Sequence, residues 1–209
     1  MQELVRITKQ HFMDSKGSHD WDHCVRVRKM ALHLAKKEGA DSFVVEAAAI
    51  LHDIAREKED EARGSISHAE LGSDMAMDIL ERLNFSKGII DNVSHCIRTH
   101  SYRGKDKAET IEAKVLFDAD KLDSIGAIGI GRAFLFAGEI GAKLHDKDTD
   151  PEKCARYSKD DTAYREFLVK LRKVKESMLT KEGKRIAEER HKFMEDFFKR
   201  LNKEVEGKI

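Results

Sequence analysis

His52 and Asp53 stand side by side at the end of the most apolar run of the chain, AAAILHDIA. A hydrocarbon core cannot satisfy an imidazole and a carboxylate together. Three more histidines keep similar company: His23 in DWDHCVRV, His68 in SISHAEL and His100 in CIRTHSY. In FDADKLDSIG, Asp118, Asp120 and Asp123 punctuate an otherwise apolar stretch. A carboxylate buried there, charged and unpaired, would cost several kcal/mol, so a cation is called for, either Arg/Lys or a metal ion. Divalent transition ions accept mixed sets of neutral imidazole and carboxylate and leave positions open for water and substrate. Helical neighbours point about 100° apart. His52 and Asp53 can therefore share one ion only if it lies off the helix flank and other helices complete the set, as in helical bundles.

The elements that must position these groups are helical. Apolar residues recur three and four apart from Leu4 to Phe12, Val25 to Ala35, Phe43 to Leu51, Ala69 to Leu83, Ile89 to Ile97, Ile111 to Leu122 and Ile125 to Leu144. Breaks fall at Lys16–Ser18, Gly39–Ser42, Gly64-Ser65, Asn84–Ser86 and Arg103-Gly104, and Ser18, Asp41, Ser67 and Ser86 are candidate N-caps. From Lys143 to Asp161 the pattern lapses into polar, turn-rich sequence. Two further helices, Thr162–Met178 and Thr180–Glu204, each show one apolar face. The expected fold class is all-α: a compact helical bundle over 1–145 that carries the site, with a C-terminal helical extension, 146–209, packed on it as one structural unit.

Composition narrows the function classes. The formal net charge is zero with 37% charged residues, which argues against a nucleic-acid-binding surface. The apolar runs are far shorter than the roughly 20 residues that cross a bilayer. MQELVRITKQHF is amphipathic without a signal-peptide core, and the three cysteines form no CxxC, so a reduced, cytoplasmic setting is expected. GAIGIG (126–131) looks like a phosphate loop, but no strand precedes it and its glycines are in the wrong order. It is read as a site of close helix packing, and the charged run Arg56–Arg63 as a solvated helix end or mobile loop.

Taken in order, HDWDHCVRV, AAILHDIAR, IRTHSYRG, EAKVLFDADKLDSIGAIGIGRAF and LTKEGKRIAEERHKFMEDFF resemble the HD-domain metal-dependent phosphohydrolase superfamily, in its YedJ/YpgQ-like branch, from about His19 to Phe198. The resemblance implies one divalent ion (Mn, Mg, Fe, Ni or Zn) held by His23, His52, Asp53 and Asp120. Asp120 takes the last place because the family's ligand sits in ADxLD, here Ala119 to Asp123. Asp118 is left as a hydrogen-bonded or capping carboxylate. Asp123, three residues after Asp120, is expected to orient a neighbour or Lys121. Lys121 stands where relatives usually carry Arg, which keeps the cation and loses the bidentate fork.

The resemblance further implies hydrolysis of a phosphate ester or anhydride of a small molecule, a nucleotide above all, by metal-activated water. Asp53 or an adjacent carboxylate would be general base. Arg26 and Arg56, each three residues beyond a ligand, together with Lys121 and Arg103, would meet the phosphate charge. His68 and His100 are either substrate contacts or ligands of a second ion, as in other HD families. Neither nucleic acid nor membrane is an expected partner, and an oligomer is compatible with the sequence. Two alternatives remain open at this level: a ligand-sensing or partner-binding helical domain with a structural metal, and an HD-type di-iron oxygenase, which would need His68 and His100 on a second iron.

Overall fold

The computed structural model describes residues 1–12, 20–62, 65–102 and 106–209. Its regular structure there is helical throughout: α1 (Gln2–Gln10), α2 (Trp21–Glu38), α3 (Ser42–Leu51), α4 (Arg56–Glu61), α5 (His68–Arg82), α6 (Lys87–Thr99), α7 (Ile111–Leu122), α8 (Gly126–Glu139), α9 (Ala163–Val169), a 3-10 helix (Leu171–Ser177) and α10 (Lys181–Val205). The fold is all-α, as the periodicity predicts. Among the described residues no helix is long and apolar enough to cross a membrane. The chain divides into two compact units, Met1–Asp120 with Leu179–Gly183, and Lys121–Met178 with Lys184–Ile209. The division thus falls after Asp120, and residues 121–145 group with the segment that follows them.

The first unit is built around α3. Val44, Val45, Ala47, Ala48, Ala49, Ile50 and Leu51 are all buried, and a helix apolar on every side has to be surrounded. Helices α1, α2 and α6 pack on it, α5 packs on α6, and α4 on α5. Each fully buried Leu, Ile or Val contributes roughly 1.5–3 kcal/mol. Asp41 starts α3 by accepting from the backbone N–H of Phe43 (2.8 Å) and Val44 (3.3 Å), and Ser67 starts α5 by accepting from Glu70. Two cap expectations need correction. The N-cap of α2 is Asp20, which accepts from the His23 N–H at 2.9 Å, while Ser18 lies outside the described residues. Ser86 occupies the N-cap position of α6 but makes no side-chain capping bond. The run after the HD pair forms α4, and Glu59 within it is buried, so this segment is more than a solvated end.

Asp118 belongs to this unit and anchors the start of a helix far away in sequence. It is fully buried and accepts from the backbone N–H of Leu179 (2.8 Å) and Thr180 (2.7 Å) and from the Thr180 hydroxyl (2.6 Å). The Thr180 hydroxyl oxygen in turn accepts from the Gly183 N–H, and Glu38 Oε1 accepts from the Glu182 N–H, so the carboxylate of α7 holds in place the threonine that caps α10. The approach is close enough to demand glycine: a Cβ at position 183 would fall 2.2 Å from Asp118 Oδ2.

In the second unit α8 packs on α9, and Phe134, Tyr164, Phe167, Phe197 and Phe198 form an aromatic cluster in which the rings of Phe167 and Phe198 stack at 4.6 Å. The helix read over Ile125–Leu144 ends at Glu139. The one read over Thr162–Met178 is two pieces, broken at Lys170 (φ −130°). Periodicity could not see this break, because Ala163, Phe167, Leu171, Val174 and Met178 keep one buried face across it. GAIGIG forms the first turns of α8, with the Arg190 side chain packed on Gly126, a close approach between α8 and α10. The polar stretch after it is held by Lys143, which pairs with Asp146 and Asp160.

Candidate metal centre

Most of the histidines and carboxylates singled out by sequence occupy helix ends in the first unit. His23 lies in the first turn of α2, His52 and Asp53 directly follow α3, His68 opens α5 and His100 directly follows α6; Asp120 lies near the end of α7. All are buried apart from Asp120, which is partly exposed. Helix ends suit the purpose, since the last carbonyls of a helix lack intrahelical partners. His52 Nδ1–H donates to the Ala49 carbonyl at 2.9 Å, and His100 Nδ1–H donates to the Ile97 carbonyl at 2.6 Å, each three residues back. A carbonyl can only accept, so each ring carries a proton on Nδ1, which leaves the Nε2 of a neutral His52 as a lone pair.

Nitrogen and oxygen atoms from three helices converge around His23. His52 Nε2 lies 3.3 Å from His23 Nε2. Asp53 Oδ2 is 3.6 Å from His23 Nε2 and 3.5 Å from His52 Nε2, and Asp120 Oδ1 is 3.4 and 4.0 Å from the same two atoms. Ligand atoms bound at ~2.1–2.3 Å to one ion in octahedral or tetrahedral geometry stand about 3.0–3.8 Å apart. Four of the five separations are of that size and the fifth, at 4.0 Å, is slightly longer, and the donor set, two imidazole nitrogens and two carboxylate oxygens, suits a divalent transition ion. These residues fit a metal.

Burial governs the protonation states. It pushes the His52 imidazole down to about 4, against the opposing pull of Asp53 and Asp120. It lowers His68 as well, with His100 adding to the effect. Both rings are neutral near pH 7 and available as donors. The Cys24 thiol is pushed well above its ordinary range, first by burial and then by the carboxylates of Asp53 and Asp120, so it stays an inert thiol beside the centre.

His68 and His100 form a second grouping. Their Nε2 atoms are 3.2 Å apart, and Asp53 Oδ1 is 3.6 Å from His68 Nε2 and 3.7 Å from His100 Nε2. Glu59 Oε2 accepts from His68 Nδ1–H at 2.6 Å and is itself paired with Arg56 Nη1 at 3.1 Å. Sequence reasoning missed Glu59. The signal available was its spacing, three residues after Arg56 and hence on the same helix face, but a run of alternating charge hides one buried member.

The remaining expected site residues are placed as follows. Arg26 lies one turn beyond His23 on α2 and is half-buried. Arg103 lies outside the described residues. Lys121 and Asp123 belong to the second unit and are buried. Asp123 directly follows α7, and its Oδ2 accepts from Arg132 Nη1 of α8 at 2.9 Å. Arg190 donates to the Leu122 carbonyl in the same unit. Neither arginine was singled out by sequence, since one among many charged helical residues carries no distinguishing spacing.

The chain is similar to known proteins in sequence and fold. The HD domain family matches residues 20–125. The uncharacterized protein YpgQ of Bacillus subtilis is 38% identical over 98% of this chain and 94% of its own length. The crystal structure of that YpgQ in complex with ADP superposes with a TM-score of 0.77 at 33% identity, covering 100% of this chain and 99% of the other. An HD-superfamily hydrolase from Bacillus thuringiensis superposes with a TM-score of 0.78 at 32% identity, covering 98% and 96%.

Proposed function

The chain belongs to the HD-domain superfamily, in its YpgQ-like branch, and from that premise we propose that it is a metal-dependent phosphohydrolase acting on a phosphate ester or anhydride of a small molecule, a nucleotide first among them. The observation that carries the reading is the gathering of His52 Nε2, Asp53 Oδ2 and Asp120 Oδ1 within 3.6 Å of His23 Nε2. The choice of a nucleotide is supported by the ADP bound to YpgQ, with which this chain aligns end to end.

His23, His52, Asp53 and Asp120 would hold a divalent ion, which when bound would lower the pKa of a water and polarise a phosphoryl oxygen. The protein residues do the rest. The Ala49 carbonyl fixes the His52 ring so that Nε2 stays a donor to the ion. Asp53 takes the proton of the attacking water, being the carboxylate that faces both histidine pairs. Arg26, one helical turn from His23, and Arg56, anchored through Glu59, meet the negative charge of the substrate.

The test is a phosphate- and pyrophosphate-release screen over nucleoside mono-, di- and triphosphates with Mn²⁺, Mg²⁺ and Ni²⁺. Release is expected from at least one substrate class and is lost in His52→Ala/Asp53→Ala. Tight metal binding that raises Tm, with no turnover across the panel, would replace this reading with that of a helical binding domain stapled by metal.

A further inference from the structure

Among the described residues from Met1 to Asp120, two large hydrophobic side chains stay exposed, Ile66 at 42% and Tyr102 at 52%. One exposed apolar residue is ordinary on a protein surface. The positions of these two are not. Ile66 lies two residues before His68, and Tyr102 lies two residues after His100. Two residues of chain reach at most about 7 Å. The His68 and His100 rings face each other with their Nε2 atoms 3.2 Å apart, so both exposed side chains flank one edge of the candidate centre. The neighbours of the other ligands are covered. Ile54, directly after Asp53, is buried, and the half-buried Trp21, two residues before His23, rests its ring against Phe12 at 5.8 Å.

A second contact places the Tyr102 ring independently of His100. It meets the Phe117 ring edge to face at 5.3 Å. Phe117 is buried on α7 three residues before Asp120, hence on the same helix face and about 4.5 Å away along the axis. The contact restrains the Tyr102 ring beside the candidate ligands, and its exposure leaves aromatic surface open to a ligand.

We infer that Ile66 and Tyr102 form a subsite for the planar base of a nucleotide, with Tyr102 stacking on the base and Ile66 lining the same subsite. The inference rests on the hydrolase reading above and deepens it, assigning recognition to the base as well as to the phosphates. A nucleotide carries its charge and its aromatic ring at opposite ends, one ribose apart. The first unit offers a matching pair of features, a buried histidine and carboxylate cluster and two exposed apolar side chains at its margin. A sugar phosphate or an inorganic polyphosphate would leave both side chains in water with no gain from either. Stacking on an aromatic ring tolerates every base, because each has a π-face. The subsite therefore discriminates nucleotides from base-free phosphates more than one base from another.

ADP and inorganic pyrophosphate both carry linked phosphates, and only ADP carries a base. The full-length protein, saturated with Mn²⁺, is titrated with each by calorimetry. Tyr102→Ala should weaken ADP binding by about 5–150-fold and leave pyrophosphate unchanged, while Tyr102→Phe keeps the affinity for ADP. Ile66→Ala should weaken ADP by up to about 10-fold, again without effect on pyrophosphate. Tyr102→Leu, which keeps apolar bulk and lacks a π-face, should also lose ADP affinity and serves if Tyr102→Ala folds poorly. Equal weakening of ADP and pyrophosphate would show that the ring acts on the candidate centre as a whole, and overturns the base subsite. Unchanged ADP affinity in Tyr102→Ala overturns it too. Phosphate release from base-free phosphates with no preference for nucleotides overturns the subsite and leaves the hydrolase reading standing. No release across the panel, with neither ADP nor pyrophosphate bound, overturns both.

Discussion

Asp118 and Asp120 stand two residues apart on α7, and their surroundings could hardly differ more. Asp118 is wrapped by protein donors, the amides of Leu179 and Thr180 and the Thr180 hydroxyl. Burial raises its pKa, and those three donors oppose the shift. Asp120 Oδ1 instead faces the Nε2 atoms of His23 and His52, and the His52 ring presents a lone pair there because its Nδ1–H is committed to Ala49. A carboxylate placed among hydrogen-bond donors stabilises a fold; one placed beside a nitrogen lone pair calls for a cation. The same residue type on the same helix thus serves as an anchor for a helix start at one position and as a candidate ligand at the other.

Breaking the contrast should produce separable losses. Asp120→Ala is expected to reduce turnover by roughly 10³-fold, the several kcal/mol that metal-borne charge stabilisation is worth, with little change in Tm of the metal-free protein. Steady-state kinetics and thermal unfolding on one preparation would check both halves. Asp118→Ala should do the reverse. It leaves buried donors unsatisfied, costs about 2–5 kcal/mol in chemical denaturation, and leaves metal stoichiometry unchanged. If Asp118→Ala strips the metal, the two carboxylates do not act separately.

A pH series sharpens the same division. In metal-free protein the folded His52 titrates near 4 and the unfolded residue near 6.5, so between these values the unfolded chain binds more protons. Stability should therefore fall as pH drops from 6.5 toward 4, by up to about 3 kcal/mol from this group. His52→Gln should flatten that limb of the denaturation-against-pH curve; an unchanged slope would show that the ring is already protonated in the fold. The smallest effect expected is that of Gly183→Ala. Its Cβ would meet Asp118 Oδ2 at 2.2 Å, so the clasp must shift, at a cost of about 1–3 kcal/mol, with manganese binding intact by titration.

Much of the fold was legible because burial in a helical protein leaves a one-dimensional trace. The spacing of Val44 to Leu51 announces a helix buried on all sides, and Asp41 and Ser67 announce where helices begin. The pairing of a histidine and an aspartate at the end of that helix likewise marks the site, since no core residue satisfies both. The same trace misleads where the buried face continues through a change of helix type, as between Phe167 and Val174, and where apolar residues run on past a helix end, as they do after α8 stops at Glu139.

By itself the sequence determined the all-helical class, the cap at Asp41 and the cast of residues able to hold an ion, because side-chain chemistry and periodic burial are written residue by residue. Only the tertiary structure decided which donor atoms meet: that Asp53 presents one oxygen to His23 and His52 and the other to His68 and His100, that Glu59 comes inside to hold His68, and that Asp118 is spent on α10. Those meetings depend on where separate helices cross and which ring nitrogen each backbone carbonyl claims, and neither quantity has a signature along the chain.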